Sequence, residues 1–507
     1  MEASIHRHCH RHARGFEPYY SVVSRQRALV ASSQRHRGKQ LCQAGSVMNI
    51  ETCPIQGMMV IHLDLHEDSR GWFKENWQES KLVGLGFTGF RPVQNNISFN
   101  AEAGVTRGLH AEPWDKYVSV ATGSVFGAWC DLREGSATFG ATFTITITPE
   151  TAVFVPRGVA NGFQALEATA YTYLVNDHWA PDAHYSFVNL ADPALNISWP
   201  IPLDQATLSK KDTAHPPLAS AVPVPPKKVL VTGANGQLGR TLKKVFPHAE
   251  FCSRTDLDIT TDITEARRWA DYSVIINAAA YTAVDAAETD STAAWRTNAE
   301  APARLAAIAA RYGITLVHLS SDYVFDGELP VHSEQEPFSP LSVYGQSKAA
   351  GDIAVSVAPQ HYVVRTSWVV GEGNNFVSTM LSLAARRISP QVVNDQLGRL
   401  TFTEDLAAGI RFLLDNHAPY GVYNLSNSGE IVSWAQLAQR VFTLAGRSAS
   451  DVQPVSTTEY FAGKAPAAPR PRHSALDLSK ITGLGFTPRD WQDALASYCT
   501  TLDAKEG

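Results

Sequence analysis

The hydrophobic pattern changes period near residue 226, and no single sheet type satisfies both patterns. Before that point apolar and polar residues alternate. Ala141-Thr-Phe-Thr-Ile-Thr-Ile-Thr148 has the period of two required of a strand with one buried face. Val118-Ser-Val-Ala, Val125-Phe-Gly-Ala-Trp-Cys and Ala152-Val-Phe-Val are further short segments, punctuated by Thr122-Gly123 and Pro156-Arg-Gly158. They predict an all-β unit of sandwich or barrel type over residues 48–212. Later apolar runs do not alternate: Val229-Leu-Val, Val274-Ile-Ile, Leu316-Val-His-Leu and Tyr362-Val-Val are separated by helical stretches such as residues 291–312. That pattern predicts a parallel sheet covered on both faces over 227–507. Between the two, residues 213–226 read TAHPPLASAVPVPP, with five prolines. Proline fixes φ and removes donors, so a semi-extended linker is expected there.

At 507 residues the chain is long enough for two or three domains, and 44% hydrophobic with 18% charged residues describes a soluble globular protein. A net charge of -6 lacks the basic surface a nucleic-acid partner needs. Cys9, Cys42, Cys53, Cys130, Cys252 and Cys499 are scattered without a CxxC pair, which predicts free thiols in a reducing compartment. No apolar run reaches the roughly 18 residues of a membrane span, so the expected location is the cytoplasm, with no membrane partner. Residues 1–47 carry eight Lys/Arg against two acids and a His6, His8, His10, His12 alternation. They lack the apolar core of a secretory signal. They are read as a disordered extension without assigned function, with Met48 opening the first domain.

In the second half a strand runs into Gly233-Ala-Asn-Gly236-Gln-Leu-Gly239 and then a helix. Glycines there permit a tight turn and close backbone approach, and a helix N-terminus favours a pyrophosphate. The next strand ends at Arg254 where an NAD-specific site would place an acid. A guanidinium there suits a 2′-phosphate, so NADPH is favoured, with NADH the alternative. Tyr344 and Lys348 stand four residues apart on one helical face, with Ser321 one strand and loop upstream. Reducing a ketone needs an acid to protonate the forming alkoxide. Tyr344 fits that role, Lys348 is expected to lower its pKa, and Ser321 adds a hydrogen bond to the carbonyl oxygen.

Together with Asn277-Ala-Ala-Ala-Tyr-Thr-Ala-Val-Asp285, Ser320-Ser-Asp-Tyr-Val-Phe-Asp-Gly327 and Arg365-Thr-Ser-Trp368, these motifs resemble the extended short-chain dehydrogenases. Within them the match is to dTDP-4-dehydrorhamnose reductase, over nearly all of 227–500. The resemblance implies a Rossmann α/β fold and cofactor contacts at Gln237, Leu238, Asp258, Ile259, Ala278, Ala279, Ala280, Tyr344 and Lys348. It implies substrate contacts at Ser321, Asp322 and Trp368. It also allows Mg2+ on this domain, for which no ligands can be placed. The family has threonine at Ser321 and proline at Leu400; losing that proline is expected to loosen a substrate-side loop.

In the first half, Asp68-Ser-Arg-Gly-Trp-Phe-Lys-Glu75, Gln94-Asn-Asn96, Arg107-Gly-Leu-His110, Lys116, Tyr173 and Leu208-Ser-Lys-Lys-Asp212 resemble dTDP-4-dehydrorhamnose 3,5-epimerase, which implies a cupin-like jelly-roll fold. Epimerising carbons beside a ketone needs a base on one face, an acid on the other and a cation for the enolate. His110, oriented by Asp212, is the candidate base, Tyr173 the opposing acid and Lys116 the cation. Arg70, Arg107 and Lys211 are candidates for the substrate and its diphosphate, Glu75, Gln94 and Asn96 for other substrate contacts, and Trp179 for stacking on thymine. This stretch offers only His110 as a histidine ligand, so no metal is expected. Asn161 replaces the family's histidine and His184 its glutamate, which leaves a 3- or 5-mono-epimerase open.

Both resemblances lead to one expectation: 3,5-epimerisation of dTDP-4-dehydro-6-deoxyglucose followed by NADPH-dependent reduction at C4, giving dTDP-L-rhamnose. The alternatives are a different dTDP-6-deoxyhexose, or a reductase carrying an inactive epimerase-like docking domain. Members of both families are often dimers, so a homo-oligomer is expected.

Overall fold

The period-two segments form two antiparallel sheets. One has six strands: β1 (Asn49–Thr52), β2 (Met59–His62), β3 (Gln94–Asn100), β5 (Lys116–Thr122), β8 (Thr151–Val155) and β10 (Thr169–Val175), ordered β1-β2-β8-β5-β10-β3. The other has five: β4 (Thr106–Ala111), β6 (Val125–Asp131), β7 (Thr142–Ile147), β9 (Val159–Ala165) and β11 (Ser186–Phe187), ordered β11-β4-β9-β6-β7. The strand expected over 141–148 is β7, an edge strand whose outer face is wet, which is why its sequence alternates. Val118, Val120, Val125, Trp129, Val153, Phe163 and Tyr171 fill a core drawn from both sheets. Burial of each such side chain contributes about 1.5–3 kcal/mol before ordering entropy.

The structure, a computed structural model, describes residues 48–462 and 467–506, side chains of 502–506 excepted, and divides into units of residues 1–225 and 226–507. The extension expected over 1–47 lies outside the described residues. The proline-rich stretch departs from expectation. It is extended, but most of it belongs to the first unit: Val224 N–H donates to Leu132 O at 2.7 Å, Val224 O accepts from Glu134 N at 2.9 Å, and Val224 and Ala221 are buried. Proline removes donors but not carbonyls or apolar area, so the segment still pairs and packs.

The second unit is a six-stranded parallel sheet: β12 (Lys228–Thr232), β13 (Glu250–Cys252), β14 (Tyr272–Asn277), β15 (Thr315–Ser321), β16 (His361–Thr366) and β17 (Gly421–Asn424), ordered β13-β12-β14-β15-β16-β17. The chain reverses direction across the sheet between β12 and β14. That switch point opens a crevice at the strands' carboxyl ends. Helix α1 (Gln237–Val245) follows β12, α2 (Ala301–Tyr312) precedes β15, and α3 (Val343–Val355) lies between β15 and β16. The helical stretch expected over 291–312 is interrupted by a π turn, Arg296–Glu300. Its Asn298 amide bonds both backbone groups of Tyr281 and the Ser347 hydroxyl. No helix among the described residues is long and apolar enough to cross a membrane.

Candidate active sites

In the first unit, strand β4 carries His110, and the short helix Lys210–Thr213 carries Asp212, capped by Ser209. His110 Nε2 lies 2.8 Å from Asp212 Oδ1, with the carboxylate buried and the imidazole one-third exposed. Asn161 on β9 is the register partner of His110, so both side chains leave the same face. Tyr171, from the opposite sheet, donates to Asn161 Oδ1 at 3.4 Å, which identifies that face as the interior. Tyr173 is two residues further along β10, its ring 6.0 Å from that of Tyr171. Burial raises the Tyr173 pKa; Glu112 adds to this and Arg107 opposes it. Lys116 lies 5.5 Å from the Tyr173 ring centroid and is ion-paired with Glu112. The four residues expected to carry proton chemistry therefore belong to one interior, reached from three strands and a helix.

The sequence reading missed two neighbours. Glu112 neutralises the Lys116 charge. His215 is buried with its ring 5.2 Å from that of His110, stacked on Phe187 and 3.9 Å from Asp212 Oδ1. Burial, then His110, lowers its pKa. The i,i+3 spacing from Asp212 was a signal for it, obscured because residue 215 fell in the expected linker. Among the described residues, His110, Asp212 and His215 form the one group with three potential ligand atoms within 4.8 Å of one another. The expectation of no metal rested on His110 standing alone, and that ground is removed. Among the described residues of the second unit no such group is found.

The expected substrate contacts are spread more widely. Arg70 is exposed and forks onto Asp68 within the hairpin His66–Asp68/Gly71–Phe73. Glu75 pairs with Lys81. On β3, Gln94 donates to Asn96 at 2.7 Å and also contacts His178. Arg107 donates to Asn100, Lys211 lies 5.3 Å from the Phe187 ring, and Trp179 is 70% exposed. His184 faces the Pro223 carbonyl, 3.1 Å away.

In the second unit, a cavity of 350 Å³ at the switch point is lined by Gly233, Gly236, Arg254, Asp258, Ile259 and Ala278–Ala280, among others. These are residues expected to contact a dinucleotide, and the local chemistry fits one. Gly233 has φ +73°, and a Cβ there would lie 2.6 Å from Ala279 N. Gly236 caps α1 without a side-chain hydrogen bond, leaving first-turn N–H groups available to an anion. Gly239 and Leu238 also serve packing: a Cβ on Gly239 would sit 2.2 Å from Gly233 O, and the Leu238 side chain is in the core. Any contact from Leu238 therefore comes from its backbone. Gln237 donates to Asn374 O outside the cavity lining. Arg254 extends into solvent, its Nε 3.3 Å from Asp258 Oδ2.

Tyr344 and Lys348 share one face of α3 as expected, and both are buried. Burial pushes the Tyr344 phenol up to about 12, opposed by a hydrogen bond with Ser321, and Asp322 and Asp352 add to the rise. This corrects the expectation of a phenol made more acidic by Lys348. The ammonium instead donates to Leu319 O at 2.5 Å, and burial brings its own pKa down to about 8. Ser321 donates to Asp322 Oδ1 at 3.0 Å. Asp322 is 2% exposed, lies behind Ser321, and is pushed up to about 6 by burial. Trp368 adopts a left-handed backbone, φ +45°, and stacks on Trp434 at 3.7 Å. Leu400 is buried in the second unit's core, and its carbonyl accepts from Asn427 N.

The dTDP-4-dehydrorhamnose 3,5-epimerase family matches residues 52–220, and the RmlD substrate binding domain family matches 227–504. A Streptococcus pyogenes protein described as an RmlC homolog is 50% identical, covering 34% of this chain and 90% of the relative. The dTDP-4-dehydrorhamnose reductase of Aggregatibacter actinomycetemcomitans is 37% identical, over 53% of this chain and 97% of that one. A solved dTDP-4-dehydrorhamnose reductase from Bacillus anthracis, in complex with NADP, is 34% identical and covers 54% of this chain and 99% of its own, with a TM-score of 0.51. The chain belongs to both families, joining a dTDP-4-dehydrorhamnose 3,5-epimerase to a dTDP-4-dehydrorhamnose reductase.

Proposed function

We propose that the chain carries out two successive steps of dTDP-L-rhamnose synthesis, with residues 48–225 as the epimerase and 226–507 as the reductase. The observation that carries this reading is that two separate proton-handling constellations, His110–Asp212 with Tyr173 and Lys116, and Tyr344–Lys348 with Ser321, stand intact in one chain. We read the two-sheet first unit as a jelly roll.

In the epimerase, His110 removes the proton from a carbon beside the C4 ketone while Asp212 holds the imidazole in place. Lys116 stabilises the enolate oxygen, and Tyr173 returns a proton from the opposite face. Its raised pKa keeps the phenol protonated at neutral pH, as an acid must be. The same exchange at C3 and C5 converts the D-sugar into the L-sugar. Arg70, Arg107 and Lys211 provide cations for the diphosphate, and exposed Trp179 an indole face for thymine.

In the reductase, NADPH bound along the switch-point cavity supplies the hydride. Ser321 and Tyr344 hydrogen-bond the ketone oxygen, and Tyr344 gives its proton to the alkoxide as it forms. A phenol near 12 stays protonated until that stronger base appears. Arg254, solvent-exposed at the cavity wall, is the residue to meet a 2′-phosphate. Edge strand β3 exposes Ile97 and Phe99 on a sheet edge that is unpaired among the described residues, which supports a homodimer formed there.

The direct test is incubation with dTDP-4-dehydro-6-deoxyglucose and NADPH, with the product sugar identified by NMR. NADPH oxidation only after adding a separate epimerase would show the first domain to be inactive. A second reading, another dTDP-6-deoxyhexose product, has specific support. A Streptomyces antibioticus relative at 39% identity is described as a probable dTDP-4,6-dihydroxy-2-methyloxan-3-one 4-ketoreductase, and Asn161 alters the epimerase interior. The same NMR assignment separates the two.

A further inference from the structure

Beneath the reductase site runs a line of buried polar side chains that the reaction above does not use. Thr232, the last residue of β12, hydrogen-bonds Asn277, the last residue of β14, at 2.7 Å. Asn277 contacts His318 Nδ1 on β15 at 3.1 Å. His318 Nε2 lies 3.5 Å from Lys348 Nζ. All four residues are at most 2% exposed. A Cβ on Gly351, one turn beyond Lys348, would lie 2.1 Å from Asn298 O and 3.4 Å from His318 Nε2. The helix can therefore settle this close to the π turn carrying Asn298 only with glycine at that position, and the imidazole lies in ordinary contact beside it.

Fully buried beside an ammonium, His318 is neutral, so its ring has one donor and one acceptor. Burial, followed by Lys348, lowers its pKa well below the ordinary value. If Nδ1 accepted from Asn277, then Nε2–H would face the ammonium, and two buried donors would meet. Turning the Asn277 amide by half a rotation removes that conflict. Nδ1–H then donates to the amide oxygen, Thr232 Oγ1 accepts from the amide nitrogen, and the Nε2 lone pair receives an ammonium proton. The Thr232 hydroxyl both donates and accepts, so the chain closes in either sense. Leu319 O already accepts one Lys348 proton. The other groups facing this pair are Asp352, 4.0 Å from His318 Nε2, Arg365, which neutralises Asp352 at 3.1 Å, and Tyr344 and Asp322 at the site itself.

We propose that His318 is a positioning residue for the reductase: its neutral Nε2 accepts a hydrogen bond from the Lys348 ammonium, and the Asn277–Thr232 pair holds it in the Nδ1–H tautomer that this requires. This rests on the reading of Tyr344 and Lys348 as the reductase machinery.

Glutamine can place an acceptor where Nε2 stands, whereas asparagine reaches only the Nδ1 position. His318→Gln is expected to keep reductase kcat within about threefold and to leave the alkaline limb of its pH profile in place. His318→Asn is expected to lower kcat about tenfold or more, with little change in KM, and to move that limb to lower pH, because an unsupported buried ammonium loses its proton more readily. Equal losses in the two variants with an unmoved limb, or no loss in either, would overturn the proposal. If His318→Asn fails to fold, 15N NMR of histidine-labelled full-length protein decides, with the His318 signals assigned from the glutamine variant. The Nδ1–H tautomer is expected at about pH 6.5. The Nε2–H tautomer at that pH would overturn it. Failure of the wild-type chain to oxidise NADPH with an epimerised 4-keto sugar would instead sink the activity reading, and the tautomer measurement needs no turnover.

Discussion

In the proposed function the two sites handle protons beside the same ketone, yet they are built from different parts. The epimerase residues stand on the inner faces of two antiparallel sheets, with His110 one-third exposed and bonded to a carboxylate from a distant helix. The reductase residues stand where a strand ends and a helix begins, and Tyr344 and Lys348 are both buried. A base that must abstract a proton from either of two carbons benefits from an accessible imidazole, whose partner supplies orientation. A phenol that must give up one proton only as hydride arrives benefits from burial, which keeps it protonated near 12. The physical lesson is that desolvation, which would weaken a base of this kind, strengthens the timing of an acid.

The sharpest way to break this comparison is to remove one proton carrier at a time. His110→Ala is expected to lower solvent deuterium incorporation at C3 and C5 by about 10³-fold while reduction of pre-epimerised sugar continues. Tyr344→Phe is expected to do the reverse, with a similar loss of NADPH oxidation. If either variant suppresses both steps, the two sites are not independent. Asp212→Asn keeps the geometry but not the charge, and about 10²-fold slower deuterium exchange is expected; an effect as large as that of His110→Ala would mean Asp212 does more than orient. Arg254→Ala is expected to raise KM for NADPH about tenfold and leave NADH unchanged. Equal effects on both cofactors would return Arg254 to the role of a solvated surface arginine.

The smallest effect concerns stability and tests whether burial is the cause. Asp322 is held up at about 6, above the ordinary carboxylate value, so the folded chain binds more protons than the unfolded chain between about pH 4 and 6. Stability is therefore lost as pH rises through that window. Denaturant unfolding should show Asp322→Asn gaining on wild type from pH 4 to 7, by on the order of 1–3 kcal/mol. A difference independent of pH would mean that Asp322 ionises normally. The same substitution should reduce turnover, because Ser321 loses the carboxylate that fixes its hydroxyl.

Much of this was legible before the fold was known. The strand period over 141–148, the glycine loop, and the order Ser321, Tyr344, Lys348 all depend on local spacing, which a helix or strand converts directly into geometry. Resemblance brought His110 and Asp212 together, although 102 residues separate them. Other features were hidden for identifiable reasons. Residues 213–226 looked like a linker because proline content reports lost donors and not buried area. His215 was hidden with them. The packing roles of Leu238, whose side chain is core, and Gly239, which lets helix meet strand, also showed only in the fold.

The sequence by itself determined the two fold classes, the boundary region between them and the reactive residue types, because periodicity and local spacing are properties of the chain. Only the tertiary structure decided the state of those residues. It paired Lys116 with Glu112, seated His215 against the His110–Asp212 pair, and placed His318 beneath Lys348. It also turned the expected effect on Tyr344 from a lowered to a raised pKa. Burial and long-range electrostatic neighbours arise only when distant segments pack, and they set which proton a side chain keeps.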